Sequence, residues 1–195
     1  MRTLPLFPLG SVLFPNGPLS LRIFEPRYVD MVSRCMRENI GFVVTLLVDG
    51  PSVDRASSYA AAIGTEARIV DFNRLDDGLL GISCLGASRV RVLRSWRESD
   101  GLNMGEIIDL PDTEEGPIPE QCRYLVDILR RVYPDLGEPY AALEPRWQEA
   151  GWVADRLAEI APLESTVRQR LLEQLDPIGR LEFLSPLIRI AKTDA

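Results

Sequence analysis

Hydrophobic and polar residues follow two different periods along this chain, and the period changes near residue 110. Residues 19–23, LSLRI, show the first period, because three aliphatic residues alternate with a serine and an arginine. A two-residue period predicts β-strands with one buried face. Residues 120–133 show the second period, with apolar residues three or four positions apart, which predicts an amphipathic helix. The sequence therefore predicts a strand-rich part followed by a helical part.

The first part contains several short runs that we predict to be strands. They cover residues 4–9, 19–23, 40–48, 62–72, 79–85, 89–96 and 104–110. Pro5 and Pro8 lack the backbone N–H that a strand donates, so the first run should form an edge or entry strand. The run at 40–48 is apolar throughout, which favours a strand buried on both faces. One helix is expected within this series, at about residues 26–38, because Pro26 suits a first helical turn.

Strands that follow one another without crossover helices favour an α+β fold with a mostly antiparallel, closed or nearly closed sheet over residues 1–110. Residues 111–119, PDTEEGPIP, have the proline and glycine content of a linker. The remainder, residues 120–195, should form a helical bundle. Its helices are expected at about 120–133, 145–160, 165–174 and from 177 onward. Ser165 and Asp176 are candidate caps for the last two.

Three segments of the sequence resemble one protein family in their order and spacing. They are LPLFPL with VLFPNGPLSLRIFEPRYVDMV, then GTEA and GISCLGASRVRV at 64–67 and 81–92, and finally QLDPIGRLEFL at 174–184. Together they resemble the Lon protease amino-terminal, or substrate-binding, domain in a stand-alone bacterial form without the ATPase and protease domains. The resemblance implies a PUA-like β-barrel followed by a helical bundle. It also implies a non-catalytic module that binds polypeptides, with an adaptor or chaperone-like role in protein quality control.

The amino-acid composition removes several classes of enzyme. The chain has no histidine, which excludes Ser-His-Asp and Cys-His catalysis and histidine metal sites. Lys192 is the only lysine and no GxxxxGK[ST] motif occurs, so a P-loop ATPase is excluded as well. Cys35, Cys84 and Cys122 are spaced too widely for a metal knuckle. We therefore expect no catalytic residue, no metal and no cofactor.

Hydropathy bears on where the protein works. The apolar runs are far shorter than the roughly 20 residues that cross a bilayer, so no membrane span is expected. The amino terminus also lacks the small-residue cleavage site of a signal peptide. A cytoplasmic location is the default interpretation.

Several residues are candidates for contact with an unfolded polypeptide or a specific protein partner. They are Phe14, Pro15, Glu25, Arg27, Tyr28 and Tyr59. Those at 25–28 lie where a predicted strand meets the helix, and they either form a polar and aromatic lip or serve the fold alone. In the second interpretation Glu25 caps the helix and pairs with an arginine, while Tyr28 packs inward. The others lie in segments whose apolar residues could hold an extended chain.

RNA binding is the alternative function, and it rests on an arginine-rich stripe. The stripe comprises Arg89, Arg91, Arg94, Trp96 and Arg97. Arginines and aromatic residues suit single-stranded RNA, and PUA-like proteins include RNA binders. The formal net charge of -7 makes nucleic acid a poor partner and favours a solvated strand face. An enzyme that uses only Asp, Glu, Tyr, Ser or Cys is a third possibility. The partner's identity and the oligomeric state are left open.

Overall fold

The computed structural model describes residues 1–47, 60–111 and 116–191. The chain divides into two compact units, Met1–Leu110 and Pro111–Ala195, which we call the sheet unit and the helical unit. Over the described residues, the sheet unit contains six strands and one α-helix, and the helical unit contains four α-helices. The fold is thus a six-stranded sheet with five helices, in agreement with the predicted strand-rich and helical parts.

The six strands form one mixed sheet. They are β1 (Arg2–Leu9), β2 (Pro18–Ile23), β3 (Phe42–Leu47), β4 (Ala60–Arg74), β5 (Leu80–Arg97) and β6 (Asn103–Asp109). Their order is β2-β5-β4-β3-β1-β6. The pairings are antiparallel except for β1 with β3, which is parallel. Helix α1 (Pro26–Glu38) lies between β2 and β3 in the chain, at the bounds that the sequence predicted.

Strand β1 lies inside the sheet, although its prolines predicted an edge or entry strand. It pairs with β6 through residues 2–6 and with β3 through residues 6–9. The two partners overlap only at Leu6, so Pro5 and Pro8 each occupy a part of β1 that has one neighbouring strand. A proline is compatible with such a position because one side of the strand needs no donor there. The edge prediction was wrong because it overlooked this stagger.

Strand β5 is a single strand of 18 residues, where the sequence predicted two strands at 79–85 and 89–96. Gly86 lies between the two predicted segments and pairs with Ala67 of β4. A side chain at position 86 would overlap the carbonyl oxygen of Phe14. Glycine at position 86 therefore allows the backbone of the turn before β2 to pack directly on β5.

The length of β5 also bears on the predicted barrel. Its first part pairs with β2 and β4, and its last part pairs with β6. The β5–β6 pairing is additional to the strand order, which begins at β2 and ends at β6. The sheet is mostly antiparallel, as predicted. The prediction was a closed or nearly closed sheet. The strand order remains open at β2, which has β5 as its one strand partner among the described residues, so the six strands do not form a fully closed barrel.

Two clusters of buried apolar side chains stabilise the sheet unit. In β1, Leu6 belongs to the smaller cluster and Phe7 to the larger; in β3, Val43 belongs to the smaller and Val44 to the larger. Both strands are therefore buried on both faces, as the apolar run at residues 40–48 predicted for β3. Helix α1 adds its apolar side to the larger cluster through Tyr28, Met31, Val32 and Cys35.

The helical unit contains α2 (Arg123–Val132), α3 (Ala150–Ile160), α4 (Ser165–Glu173) and α5 (Pro177–Ala191). Helix α3 begins later than predicted, because Trp147 packs edge-on against Tyr133 and Trp152 from a turn that precedes the helix. Ser165 is not the cap of α4, since Glu164 holds that position. Asp176 does cap α5, because its carboxylate accepts a 3.1 Å hydrogen bond from the Ile178 N–H. None of the described helices is long and apolar enough to cross a membrane.

Helix α3 carries charged side chains into the interior of the helical unit. Asp155 Oδ1 lies 3.2 Å from Nε of Arg180, and both side chains are buried. Arg156 donates a 2.6 Å hydrogen bond to Glu159, whose other oxygen accepts a 3.2 Å hydrogen bond from the Tyr140 hydroxyl. Burial raises the pKa of Glu159 to about 7; the charge of Asp155 adds to the rise, and Arg156 and Tyr140 oppose it.

Candidate functional site

A cleft of about 330 Å³ opens in the sheet unit where β2 meets α1. Its walls come from the last residues of β1, β2 and β3, the first residue of β6 and the first turn of α1. The apolar lining residues are Phe7, Pro8, Leu9, Leu21, Ile23, Phe24, Tyr28 and Leu47. The polar ones are Arg22, Glu25, Arg27 and Asn103. Three of the predicted contact residues, at positions 25, 27 and 28, thus border one cleft.

Arg27 is held at the cleft by contacts on several sides. Its Nε and Nη2 lie 2.8 and 2.7 Å from Oε2 of Glu25. Its Nη1 donates a 2.9 Å hydrogen bond to the carbonyl oxygen of Gly101. The guanidinium also lies over the ring of Tyr28, 4.7 Å from the centroid. The charges of Arg27 and Glu25 therefore offset each other, and this part of the cleft is polar but close to neutral.

Tyr28 forms part of the floor of the cleft. Its ring stacks on Phe7 with centroids 4.1 Å apart, and the residue is 8% exposed. Burial raises the pKa of the Tyr28 phenol, so the side chain is neutral at physiological pH. The inward packing agrees with the interpretation of this residue as part of the fold. Glu25 agrees only in part, because it pairs with Arg27 but makes no side-chain hydrogen bond as the cap of α1.

Two large apolar side chains border the cleft and remain open to solvent. Phe24 is 69% exposed, at the point where β2 ends. Leu47 is 48% exposed, at the end of β3. Exposed apolar side chains beside a concave surface with both apolar and polar groups are typical of sites that bind another molecule.

The remaining predicted contact residues do not line this cleft. Phe14 is fully buried, so its side chain is not on the surface as the prediction required. The cause is the close packing of its turn on two strands. Gly86 of β5 lies against the Phe14 backbone, and the Thr65 hydroxyl of β4 donates a 2.6 Å hydrogen bond to the carbonyl oxygen of Leu13. Pro15 is half-buried in the same turn. Tyr59 lies outside the described residues.

The arginine-rich stripe of the RNA alternative is not brought together on one exposed face. Arg89 is buried, at 2% exposure. Arg94 lies 3.5 Å from Glu106 and stacks over Trp96. Arg97 faces the opposite side of β5 from Arg94 and Trp96, because strand residues alternate, and it donates to the carbonyl oxygen of Gly101. The exposed part of the stripe is therefore shorter than the sequence predicted.

Metal-binding groups and reactive thiols are the remaining features that could support chemistry in this protein. Over the described residues, no group of three or more His, Cys, Asp or Glu side chains could hold a metal ion. Cys35, Cys84 and Cys122 are buried. Burial raises the pKa of the Cys35 thiol to about 11 and that of Cys84 to about 12, so both thiols stay protonated and poorly reactive near neutral pH.

The helical unit has clefts of its own. One, of about 290 Å³, is lined almost entirely by apolar residues of α2, α3, α5 and the turn after α3. Another, of about 450 Å³, includes Arg130, which stacks over Trp147 at 5.4 Å. Neither contains a residue that the sequence marked as a candidate.

Phe24 and Leu47 are the site residues that sequence reasoning missed. Phe24 lies inside the motif FEPRY, yet a lone aromatic residue in an apolar stretch predicts core packing. Leu47 ends the apolar run of β3 and looks equally buried in sequence. One signal in the sequence could have identified Phe24. It lies where the strand period changes to the helix period, and a side chain at such a position need not point to the buried face of the strand or of the helix.

Comparison with known proteins identifies a family. The model of the ATP-dependent protease La (LON) substrate-binding domain matches residues 3–189. Among curated relatives, Lon protease of Phenylobacterium zucineum is 24% identical over 96% of this chain, and Lon protease 1 of Bdellovibrio bacteriovorus is 27% identical over 96%. The match covers 25% of the length of each relative, so this chain spans about a quarter of them.

Solved structures agree with the family model. The Lon N-terminal domain protein from Xanthomonas campestris is 37% identical, with a TM-score of 0.79 over 94% of this chain and 97% of that one. The N-terminal domain of Mycobacterium avium complex Lon protease shares the fold, with a TM-score of 0.66 at 14% identity over 94% of this chain and 96% of that one. The resemblance of the three sequence segments is thereby confirmed, and the chain belongs to the LON substrate-binding domain family.

Proposed function

We propose that this protein binds polypeptides, or a partner protein with an exposed apolar segment, in the cleft where β2 meets α1. The observation that carries the proposal is the pair of exposed apolar side chains, Phe24 and Leu47, at the border of a cleft lined by both apolar and polar residues. The family's description as a substrate-binding domain points to the same class of ligand.

The energetics of the cleft suit an apolar ligand. Burying an exposed leucine or phenylalanine side chain contributes about 1.5 to 3 kcal/mol when burial is complete. Phe24 and Leu47 together can therefore supply much of the affinity of a weak, reversible complex. The ion pair of Glu25 and Arg27 adds polar contacts at the border without placing an unpaired charge in the cleft.

The proposed role is non-catalytic. Neither the cleft nor the rest of the sequence contains a histidine, and Tyr28 in the cleft is neutral at physiological pH. We assign the protein an adaptor or chaperone-like role in protein quality control. Proteolysis is a property of the relatives, which are four times as long, and we do not transfer it to this chain.

We also propose that the sheet unit has a PUA-like barrel fold, which is a finer description than a six-stranded mixed sheet. The pairing between β5 and β6 supports it, since this contact joins the last strand of the order back to an earlier one. A barrel of this kind would leave β2 as an extra strand beside the cleft. The predicted division into a barrel at 1–110, a linker at 111–119 and a bundle at 120–195 belongs to the same proposal.

Fluorescence anisotropy tests the proposed function. A labelled, permanently unfolded polypeptide and a labelled single-stranded RNA are each titrated with the protein at low and high salt. We expect saturable binding of the polypeptide that tolerates salt, because apolar burial is not screened. Steeply salt-dependent binding of the RNA alone would contradict the proposal and favour the alternative.

Two matched pairs of variants locate the site. Leu47→Asp and Phe24→Asp place a charge at the cleft and should weaken polypeptide binding by about tenfold, equivalent to about 1.4 kcal/mol. Leu93→Asp and Phe72→Asp are the controls, because these residues are 47% and 57% exposed in the same unit but do not line the cleft. Equal weakening by cleft and control variants would show that the cleft is not the site.

A further inference from the structure

We propose that the bound polypeptide is extended and pairs its backbone with the free edge of β2, so that alternate apolar side chains enter the cleft. This inference rests on the proposed function and specifies which conformation and which kind of segment the cleft accepts. The ligand class is an uncharged, strand-forming stretch of unfolded chain.

The free edge of β2 supplies the backbone partners. All six residues of β2, Pro18–Ile23, are in register with β5. The strand order ends at β2, and no second strand among the described residues pairs with it. Every other residue of such a strand directs its N–H and C=O away from the sheet, where an added strand can bond them.

The free edge and the cleft are adjacent. Leu21 and Ile23 of β2 line the cleft, and Phe24 follows them directly. A strand added along β2 would therefore run beside the opening, and its side chains would alternate between the cleft and solvent. Backbone bonds and an apolar side-chain contact are thus available to the same ligand at the same place.

Strand β1 provides apolar contact more than backbone bonds. Phe7, Pro8 and Leu9 of β1 also line the cleft, beyond the part of β1 that pairs with β6. The open segment has only these three residues, and Pro8 has no N–H to donate. We therefore assign the backbone pairing to β2 and the side-chain contact to β1 and Leu47.

The charges around the cleft favour a neutral ligand. Glu25 is paired with Arg27, and Arg22 is paired with Asp77. A charged side chain that entered the cleft would have to break one of these pairs or remain without a counterion. An amphipathic helix is the less suitable ligand, because its backbone groups are already bonded internally and gain nothing from a strand edge.

The test uses an eight-residue peptide of alternating valine and serine, which competes with the labelled unfolded polypeptide for the protein. Two further versions carry backbone N-methyl groups, one on the valines and one on the serines. In a strand with its valines towards the cleft, all valine N–H groups point to one edge and all serine N–H groups to the other. Methylation on the paired edge removes donors and blocks approach, whereas methylation on the other edge faces solvent.

We expect one methylated version to compete at least about tenfold less well than the unmodified peptide, and the other to stay within about threefold. Equal competition by the two versions, retained or lost, would overturn the pairing with one strand edge. Failure of the unmodified peptide to compete, while the polypeptide binds, would overturn it too. Absence of polypeptide binding would instead defeat the proposed function itself, so the two failures are distinguishable.

Discussion

The sheet unit and the helical unit bury charged side chains in different ways. In the sheet unit, Glu66 is buried at 1% exposure, but its partners Arg2 and Arg68 are partly exposed, at 37% and 44%. In the helical unit, Asp155 and Arg180 are both almost fully buried, at 4% and 1%. Water can replace a lost partner in the first unit and cannot do so in the second. The helical unit should therefore depend more strongly on intact ion pairs and on pH.

The largest effect is expected from Arg180→Met. Removal of the guanidinium leaves the buried Asp155 carboxylate without the charge 3.2 Å away, which costs about 3 to 5 kcal/mol of unfolding free energy. Chemical denaturation of the variant measures this loss. Arg123→Ala is the control in the same unit, because its pair with Glu120 is exposed and should contribute at most about 1 kcal/mol. Similar losses for both variants would remove the distinction between buried and exposed pairs.

The next effect concerns pH. Burial raises the pKa of Glu159 from 4.5 to about 7, so between these values the folded state binds more protons than the unfolded state. Unfolding free energy should therefore rise as the pH falls from about 7 towards 4.5, by up to about 3 kcal/mol from this residue.

Glu159→Gln isolates this contribution, because glutamine is neutral at every pH and keeps a similar shape. The difference in stability between wild type and variant, followed by denaturation across this pH range, should shrink as the pH falls. A difference that does not change with pH would contradict the raised pKa.

A smaller effect is expected from Glu66→Gln in the sheet unit. Glu66 lies 2.8 Å from Arg2 and 2.7 Å from Arg68, and a neutral amide keeps the shape but weakens both contacts. The two arginines are partly solvated, so we expect a loss of about 1.5 kcal/mol. A loss as large as that of Arg180→Met, measured by the same denaturation, would show that both units depend equally on buried charge.

Local sequence signals predicted the elements that depend on local structure. Helix α1 has its predicted bounds, because Pro26 opens it and its apolar residues recur at helical spacing. The strand alternation of β2 and the apolar run of β3 were equally readable. The Asp176 cap was predicted because an N-cap bond joins residues only two positions apart.

Features that depend on distant contacts were not predictable. Gly86 fell between two predicted strands, because glycine is needed there only to make room for the backbone of Phe14, which is far away in the chain. The same distant contact buries Phe14, which was predicted to be on the surface. Phe24 and Leu47 join one cleft only after β2 and β3 take their places in the sheet. Arg180 and Asp155 resemble ordinary solvated charges in sequence, and only helix packing buries them.

The position of β1 has a consequence for how the protein folds during synthesis. Arg2 pairs with Ile107, so the first strand finds one of its two partners only after residue 109 has left the ribosome. Until then, the part of β1 that belongs against β6 presents an open edge to other nascent chains. Such long sequence separation slows folding and extends the period of exposure. The sheet unit of a domain that we propose binds unfolded chains is therefore itself completed late, when its last strand is translated.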